Sequence, residues 1–114
     1  MAFSEKELEM IHKEVGAFCD NRVPDHIKDK VYMDYEIDGQ SIFIFEVRPH
    51  FRDPDRKIKS PIAKVSFVRT QQRWHLYWMR ADLKYHKYDS FSGSNYLNRI
   101  IYVIDKDEHG CFFG

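Results

Sequence analysis

Along the chain the spacing of apolar residues changes character three times. Over residues 5–20, Leu8, Ile11, Val15, Phe18 and Cys19 recur at three- and four-residue intervals, which places them on one stripe of an amphipathic helix. Ser4 and Glu7 have capping-box spacing, Glu5, Glu7 and Glu9 suit the positive end of the helix, and Asp20-Asn21 with Pro24 supply a stop. A short helical turn is expected from Pro24 to Lys28.

The period then becomes two. Residues 31–37 and 40–48 are rich in β-branched and aromatic side chains and flank Asp38-Gly39, a dipeptide that suits a type I′ turn because both central positions need positive φ. With that turn, Tyr35 faces Ile42 and Met33 faces Ile44. One face carries Val31, Met33, Tyr35, Ile42 and Ile44, with Glu46 and Arg48 at its end. The other carries Tyr32, Phe43, Phe45 and Val47 beside Asp34 and Glu36. Both faces are partly apolar, so each is expected to be covered. Residues 49–61 hold Pro49, Pro54 and Pro61 among alternating charges and read as a mobile loop.

Residues 62–88 interleave apolar, aromatic and basic side chains more densely than any other stretch and predict a second hairpin, turning at residues 70–72. Pairing Arg69 with Arg73 puts Val68 opposite Trp74, Ser66 opposite Leu76 and Lys64 opposite Trp78. The even-numbered face then shows Lys64, Trp74, Leu76, Trp78, Arg80, Asp82, Lys84 and His86. The odd-numbered face holds Ala63, Val65, Phe67, Tyr77, Met79, Leu83 and Tyr85, an apolar set typical of a core, with His75 near Phe67. After a polar break, Ser94 is placed to cap a second helix whose Leu97, Ile100, Ile101 and Ile104 share a face. The closing Cys111, Phe112 and Phe113 are too apolar for a solvated tail and are expected to pack back. The order helix, hairpin, loop, hairpin, helix predicts one α+β domain over residues 1–114, a mostly antiparallel sheet of about four strands with an N-terminal and a C-terminal helix packed on it.

Composition narrows the function classes. The aromatic fraction of 16% is high, and rings with polar tips favour partly wet surfaces. Eighteen basic residues balance eighteen acidic ones, so there is no long-range positive field of the kind that draws proteins to nucleic acid without regard to sequence. Such binding would rest on a local patch, and Arg69, Arg73, Arg80, Lys84 and Lys87 do crowd the central stretch. The start of the chain lacks the cationic and apolar runs of a signal peptide, and no stretch approaches the roughly 20 apolar residues that cross a bilayer. A cytoplasmic protein with no membrane partner is expected. Cys19 and Cys111 lie at no metal-ligand spacing and are expected to behave as small buried hydrophobes.

At residues 37–49 (IDGQSIFIFEVRP), 77–88 (YWMRADLKYHKY) and 110–114 (GCFFG) the chain resembles a family of small bacterial proteins catalogued as domain of unknown function 3024. The resemblance covers nearly the whole length. It takes in residues 46–49, Lys64, Trp74, Tyr77-Trp78 and residues 80–84, with Tyr85 standing where the family pattern has a Trp. It implies no activity, ligand or partner.

From the residues themselves, the leading candidate is a binding or accessory protein with an anion- or nucleotide-type site on one sheet face. Its charged members are Glu46, Arg48, Lys64, Arg80 and Asp82 beside Trp78, with Lys84 and His86 on the same face. Arg forks suit phosphate or carboxylate, and the indole supplies a wall for a ring. A nucleic-acid-binding module is a second reading, using cations interleaved with stacking rings. A small nuclease-like enzyme is a third, with Glu46 as base, Lys64 and Arg80 as electrophilic stabilisers and His86 as acid. The fourth is a homodimer whose self-contact is made by Trp74, Leu76 and Trp78. No metal or cofactor motif is present.

Overall fold

The computed structural model describes residues 3–91 and 93–113; Met1, Ala2, Ser92 and Gly114, including the last residue of the apolar C-terminal run, lie outside them. The fold is α+β, with five antiparallel strands in simple meander order where the sequence suggested about four.

Helix α1 spans Glu5–Arg22 and starts with the expected capping box: Glu7 N donates to Ser4 Oγ at 3.2 Å and Ser4 N donates to Glu7 Oε1 at 2.8 Å. It runs two residues beyond the expected end and stops before Pro24, whose ring cannot continue a helix. A 3-10 turn at Asp25–Ile27 leads to β1 (Tyr32–Asp38) and β2 (Ser41–Pro49). Their turn is Gly39-Gln40 instead of Asp38-Gly39, because Asp38 pairs with Ser41 and only Gly39 takes a positive φ, +61°. That is the requirement of a type II′ turn. Tyr35 therefore faces Ile44 and Met33 faces Glu46. The slip moves both strands by one residue, so the same alternate side chains stay on each face.

Strand β3 (Lys57–Val68) begins well inside the stretch expected to be a mobile loop, leaving residues 50–56 as the connection. Proline is tolerated at position 61 because β3 has there passed the end of β4 and its far edge is unpaired. A 3-10 turn at Arg69–Gln71, ended by Gln72 in the left-handed region, leads to β4 (Arg73–Met79). This connection is four residues long, not three. Val68 pairs with Arg73, Phe67 with Trp74, Val65 with Leu76 and Ala63 with Trp78. A change of one residue in loop length flips a strand, so the expectation for β4 is reversed. Trp74 and Leu76 are buried in the core and Trp78 packs against it; Tyr77, Met79 and His75 share the other face with Lys64 and Ser66.

β4 also stops sooner than expected. Leu83 N donates to Arg80 O at 2.9 Å and Arg80 N to Lys84 O at 3.1 Å, and Leu83 takes φ +62°. The chain reverses there into β5 (Tyr85–Lys87), in which His86 pairs with Trp78 and Tyr85 with Met79. Leu83, expected in the core, is 81% exposed at this turn.

The second helix, α2, spans Leu97–Lys106. Ser94 does not cap it; Ser94 instead bridges β4 through paired backbone bonds with Trp74 at 2.7 and 3.0 Å. Gly93 is obligatory beside it. Its φ is +113°, and a Cβ there would lie 2.4 Å from Trp74 O. After α2, Asp107 turns the chain in the left-handed region and its carboxylate accepts from the Phe112 and Phe113 amides at 3.0 and 2.8 Å. The C-terminal run thus packs back, with Phe112 buried against Tyr88 at 5.0 Å between centroids.

Both helices contribute to one core with the same sheet face. Ile11, Val15, Phe18 and Cys19 of α1, and Leu97, Ile100 and Ile104 of α2, pack with Met33, Ile42, Ile44, Ala63, Val65, Trp74 and Leu76. Cys19 is a free thiol, pushed up to about 12 by burial and then by Asp34, and so stays a protonated small hydrophobe. His12 Nδ1 lies 2.6 Å from the Tyr35 hydroxyl at the edge of this layer. No helix among the described residues is long and apolar enough to cross a membrane.

Candidate functional site

The charged residues singled out in the sequence are distributed over both faces of the sheet. Glu46 and Arg48 lie on the helix side of β2 and pair with each other. Arg80 stacks on Trp78 with its guanidinium carbon 5.4 Å from the ring centroid. Asp82 pairs with His86 Nε2 at 2.8 Å, and this contact holds the Asp82 carboxyl below its usual range. Lys84 is exposed and enters the turn through its backbone, its N donating to Asp82 Oδ1 at 3.0 Å. These are local pairings around one strand end and one turn. Lys64 is separated from them, since it stands opposite Tyr77 on the face that no helix covers. The self-contact expected of Trp74, Leu76 and Trp78 is replaced by core packing: Trp74 and Leu76 are 3% and 2% exposed.

On the uncovered face the strands bring together a different set. The Lys64 ammonium lies 5.3 Å from the Tyr77 ring centroid, 5.6 Å from Phe43 and 5.9 Å from Tyr85. Phe43 and Tyr85 also meet each other at 5.7 Å. These residues converge because Phe43, Lys64 and Tyr77 stand side by side across β2, β3 and β4, with Tyr85 diagonal to Tyr77 on the same face, opposite Met79 in the β5 pairing. Each ring face draws the ammonium weakly, on the order of 0.5–1 kcal/mol at an exposed site. Among the ion pairs of the described residues none includes Lys64. Burial raises the Tyr85 hydroxyl above its ordinary range, so it remains a proton donor at neutral pH.

Further along the same face, Lys59 covers Phe45 at 4.7 Å and reaches Glu36 at 2.5 Å, while Lys57 lies 5.2 Å from the Tyr32 ring. Phe45 and Val47 are almost fully buried there with no helix above them. Long lysine stems supply part of that cover. The acids of this face, Asp34, Glu36 and Asp38, are confined to the edge strand β1, whereas lysines line β3 and Lys87 stands on β5. His75, half-buried on β4, is held toward its neutral form by burial, Lys87 and Arg73.

Phe43, Lys59, Lys57 and Tyr32 carry no functional signal in the sequence, and its alternation places Tyr77 and Tyr85 in the core. The signal for the latter lay in β4 itself: Trp74, Leu76 and Trp78 are all apolar, while the alternate set contains Arg73 and His75. Five concave regions among the described residues lie elsewhere. A groove of about 360 Å³ between the helices is lined by Glu14, Asn21, Arg22, Tyr102 and Asp105, and Arg22 there bridges to Asp105 at 3.3 Å. Among the described residues no group of three or more His, Cys, Asp or Glu side chains is placed to hold a metal ion.

By fold and surface, this is a small two-layer α+β domain with helices on one side of a meander sheet and an aromatic, lysine-bearing face on the other. The chain belongs to the family described as a domain of unknown function (DUF3024), whose model matches residues 3–114. No curated protein matches the chain, and no solved structure matches it.

Proposed function

We propose that the protein is a binding module and that its ligand carries both a phosphate-type anion and a planar ring, held on the uncovered sheet face at Lys64. The observation that carries this reading is the Lys64 ammonium ringed by Phe43, Tyr77 and Tyr85 with no carboxylate partner among the described ion pairs. A lysine whose task is to fix strand register pairs with an acid, as Lys59 does with Glu36. Lys64 instead has its charge available to an incoming anion, and the rings beside it offer stacking surface of the kind used for bases. The expected anion- or nucleotide-type site is thereby kept on a sheet face but moved to the opposite one.

The test is a titration of isotope-labelled protein with a dinucleotide, followed by NMR. Shifts centred on Phe43, Lys64, Tyr77 and Tyr85, lost in Lys64→Ala, are the expected result. Shifts confined to the groove between α1 and α2, or no shifts at saturating ligand, would overturn the proposal.

A further inference from the structure

Resting on that reading, we infer that the ligand is a single-stranded polynucleotide, which runs along β3 from the Lys64 cluster to the tip of the β2–β3 hairpin. The first reason is shape. A free mononucleotide is held by a concave pocket, whereas five concavities among the described residues line the helices and the edge of the sheet, and Lys64 lines none of these five. A flat track of rings and cations suits a polymer.

The second reason is continuity. Lys57, Lys59 and Lys64 all stand on the uncovered face of β3, each against at least one ring: Tyr32, Phe45 and the Phe43 cluster respectively. At about 3.3 Å per residue the line from Lys57 to Lys64 is roughly 20–25 Å long, enough to follow several nucleotides. The third reason is what stands at its end. The hairpin outruns both neighbours, since β1 begins opposite Val47 and β4 ends at Met79. Its tip displays Phe51, 83% exposed, stacked on His50 at 5.0 Å and 18°, with the Arg52 guanidinium 5.2 Å from the ring.

The tip is ordered, not loose: His50 N donates to Arg56 O at 2.7 Å, Arg56 N to Asp53 O at 3.0 Å, and the Asp53 carboxylate accepts from Asp55 N at 3.3 Å. A large ring held in water on an ordered tip is a contact in waiting for another planar group. Around it, Arg52, Arg56 and Lys57 outnumber Asp53 and Asp55 once Arg48 and Lys59 are set against their partners Glu46 and Glu36, and that local positive balance complements a phosphate chain even though the whole molecule is neutral. One isolated ring flanked by carboxylates does not make the broad apolar and cationic surface that a membrane requires.

The experiment is fluorescence anisotropy with labelled single-stranded oligonucleotides of two to twelve nucleotides, on the full chain, at two salt concentrations. Affinity is expected to rise with length until the strand reaches the tip and to fall as salt rises. Phe51→Ala is expected to weaken the longer strands by roughly fivefold to a hundredfold, the range for losing one stacking ring, and to leave the dinucleotide unchanged. Because Phe51 is exposed, its melting temperature should match the wild type, and Lys59→Ala provides a second probe midway along the track. Dinucleotide binding with no length dependence, or long strands indifferent to Phe51→Ala and Lys59→Ala, would overturn this inference while leaving the Lys64 site standing. Absence of binding at every length would remove both. Binding of anionic vesicles through Phe51 without binding of oligonucleotides would assign the tip to a lipid surface and also overturn the inference.

Discussion

Both faces of the sheet carry aromatic rings and put them to different uses. On the helix side, Trp74 stacks on Phe3 at 5.7 Å, meets Phe67 at a tilt at 4.8 Å and is sealed from water. On the other side Phe43, Tyr77 and Tyr85 are only half-buried, and the single Lys64 ammonium lies over all three rings. Aromatic density along a sequence therefore does not identify a site. What distinguishes the faces is the cover: a helix supplies apolar atoms and expels water, whereas a lysine stem shields the ring and leaves a charge at the surface.

The largest expected effect comes from breaking the covered face. Trp74→Ala removes a buried indole and leaves a cavity between two rings, for an expected loss of about 3–5 kcal/mol. Against a total stability of about 5–15 kcal/mol for a typical domain, that brings the protein close to unfolding. Gly93→Ala attacks the same strand from its edge, because the new methyl meets Trp74 O and the backbone sits at φ +113°. A loss of about 2–3 kcal/mol is expected from the strain. Urea melts of both variants check the order; a Gly93→Ala protein with unchanged midpoint would mean that the Ser94 bridge to Trp74 relaxes freely.

How much of this was legible follows from the two hairpins. In the first, the turn slipped to Gly39-Gln40, yet Met33, Tyr35, Ile42 and Ile44 kept their shared face because both strands moved by one. In the second, one extra residue in the loop reversed β4 against β3, and Tyr77 and Tyr85 exchanged places with Trp74 and Trp78. Each strand alone told the truth: Lys64 and Ser66 mark the wet side of β3, Arg73 and His75 that of β4. A three-residue loop would join them in the opposite sense, whereas the loop of residues 69–72 puts both wet sides on one face. The reversal at residues 80–84 gave no warning, since its left-handed position is filled by Leu83 and not by glycine. Prolines in the run 49–61 suggested a loop, but Pro61 occupies the unpaired edge of a strand.

The uncovered face is expected to respond in the opposite way, with binding lost and stability little changed. Tyr77→Ala should cost about 0.2–1 kcal/mol, the worth of a cross-strand contact, while abolishing the dinucleotide shifts expected around Lys64. Measuring both in one preparation sharpens the contrast with Trp74. If Tyr77→Ala destabilised the protein as strongly as Trp74→Ala, the half-buried rings would be a second core and the case for a ligand there would collapse.

The smallest expected effect concerns the charge that pins the helix layer to the sheet. Glu7 accepts from Arg69 Nη2 at 2.6 Å and Nη1 at 3.1 Å, tying the start of α1 to the turn before β4. The Arg69 hydrogen bonds, followed by the Ser4 amide, hold the Glu7 carboxyl below its ordinary range. A carboxyl whose value is lower folded than unfolded stabilises the fold at neutral pH, and that contribution disappears as pH falls through the folded value. Glu7→Gln keeps an acceptor for the capping box and removes only the charge. At pH 7 the variant should therefore melt slightly earlier in urea than the wild type, by less than Tyr77→Ala. The two midpoints should converge in acid, once Glu7 of the wild type is protonated. A gap that persisted unchanged at low pH would show that Glu7 holds the helix by shape and not by charge, and would make the covered face as independent of electrostatics as its buried rings suggest.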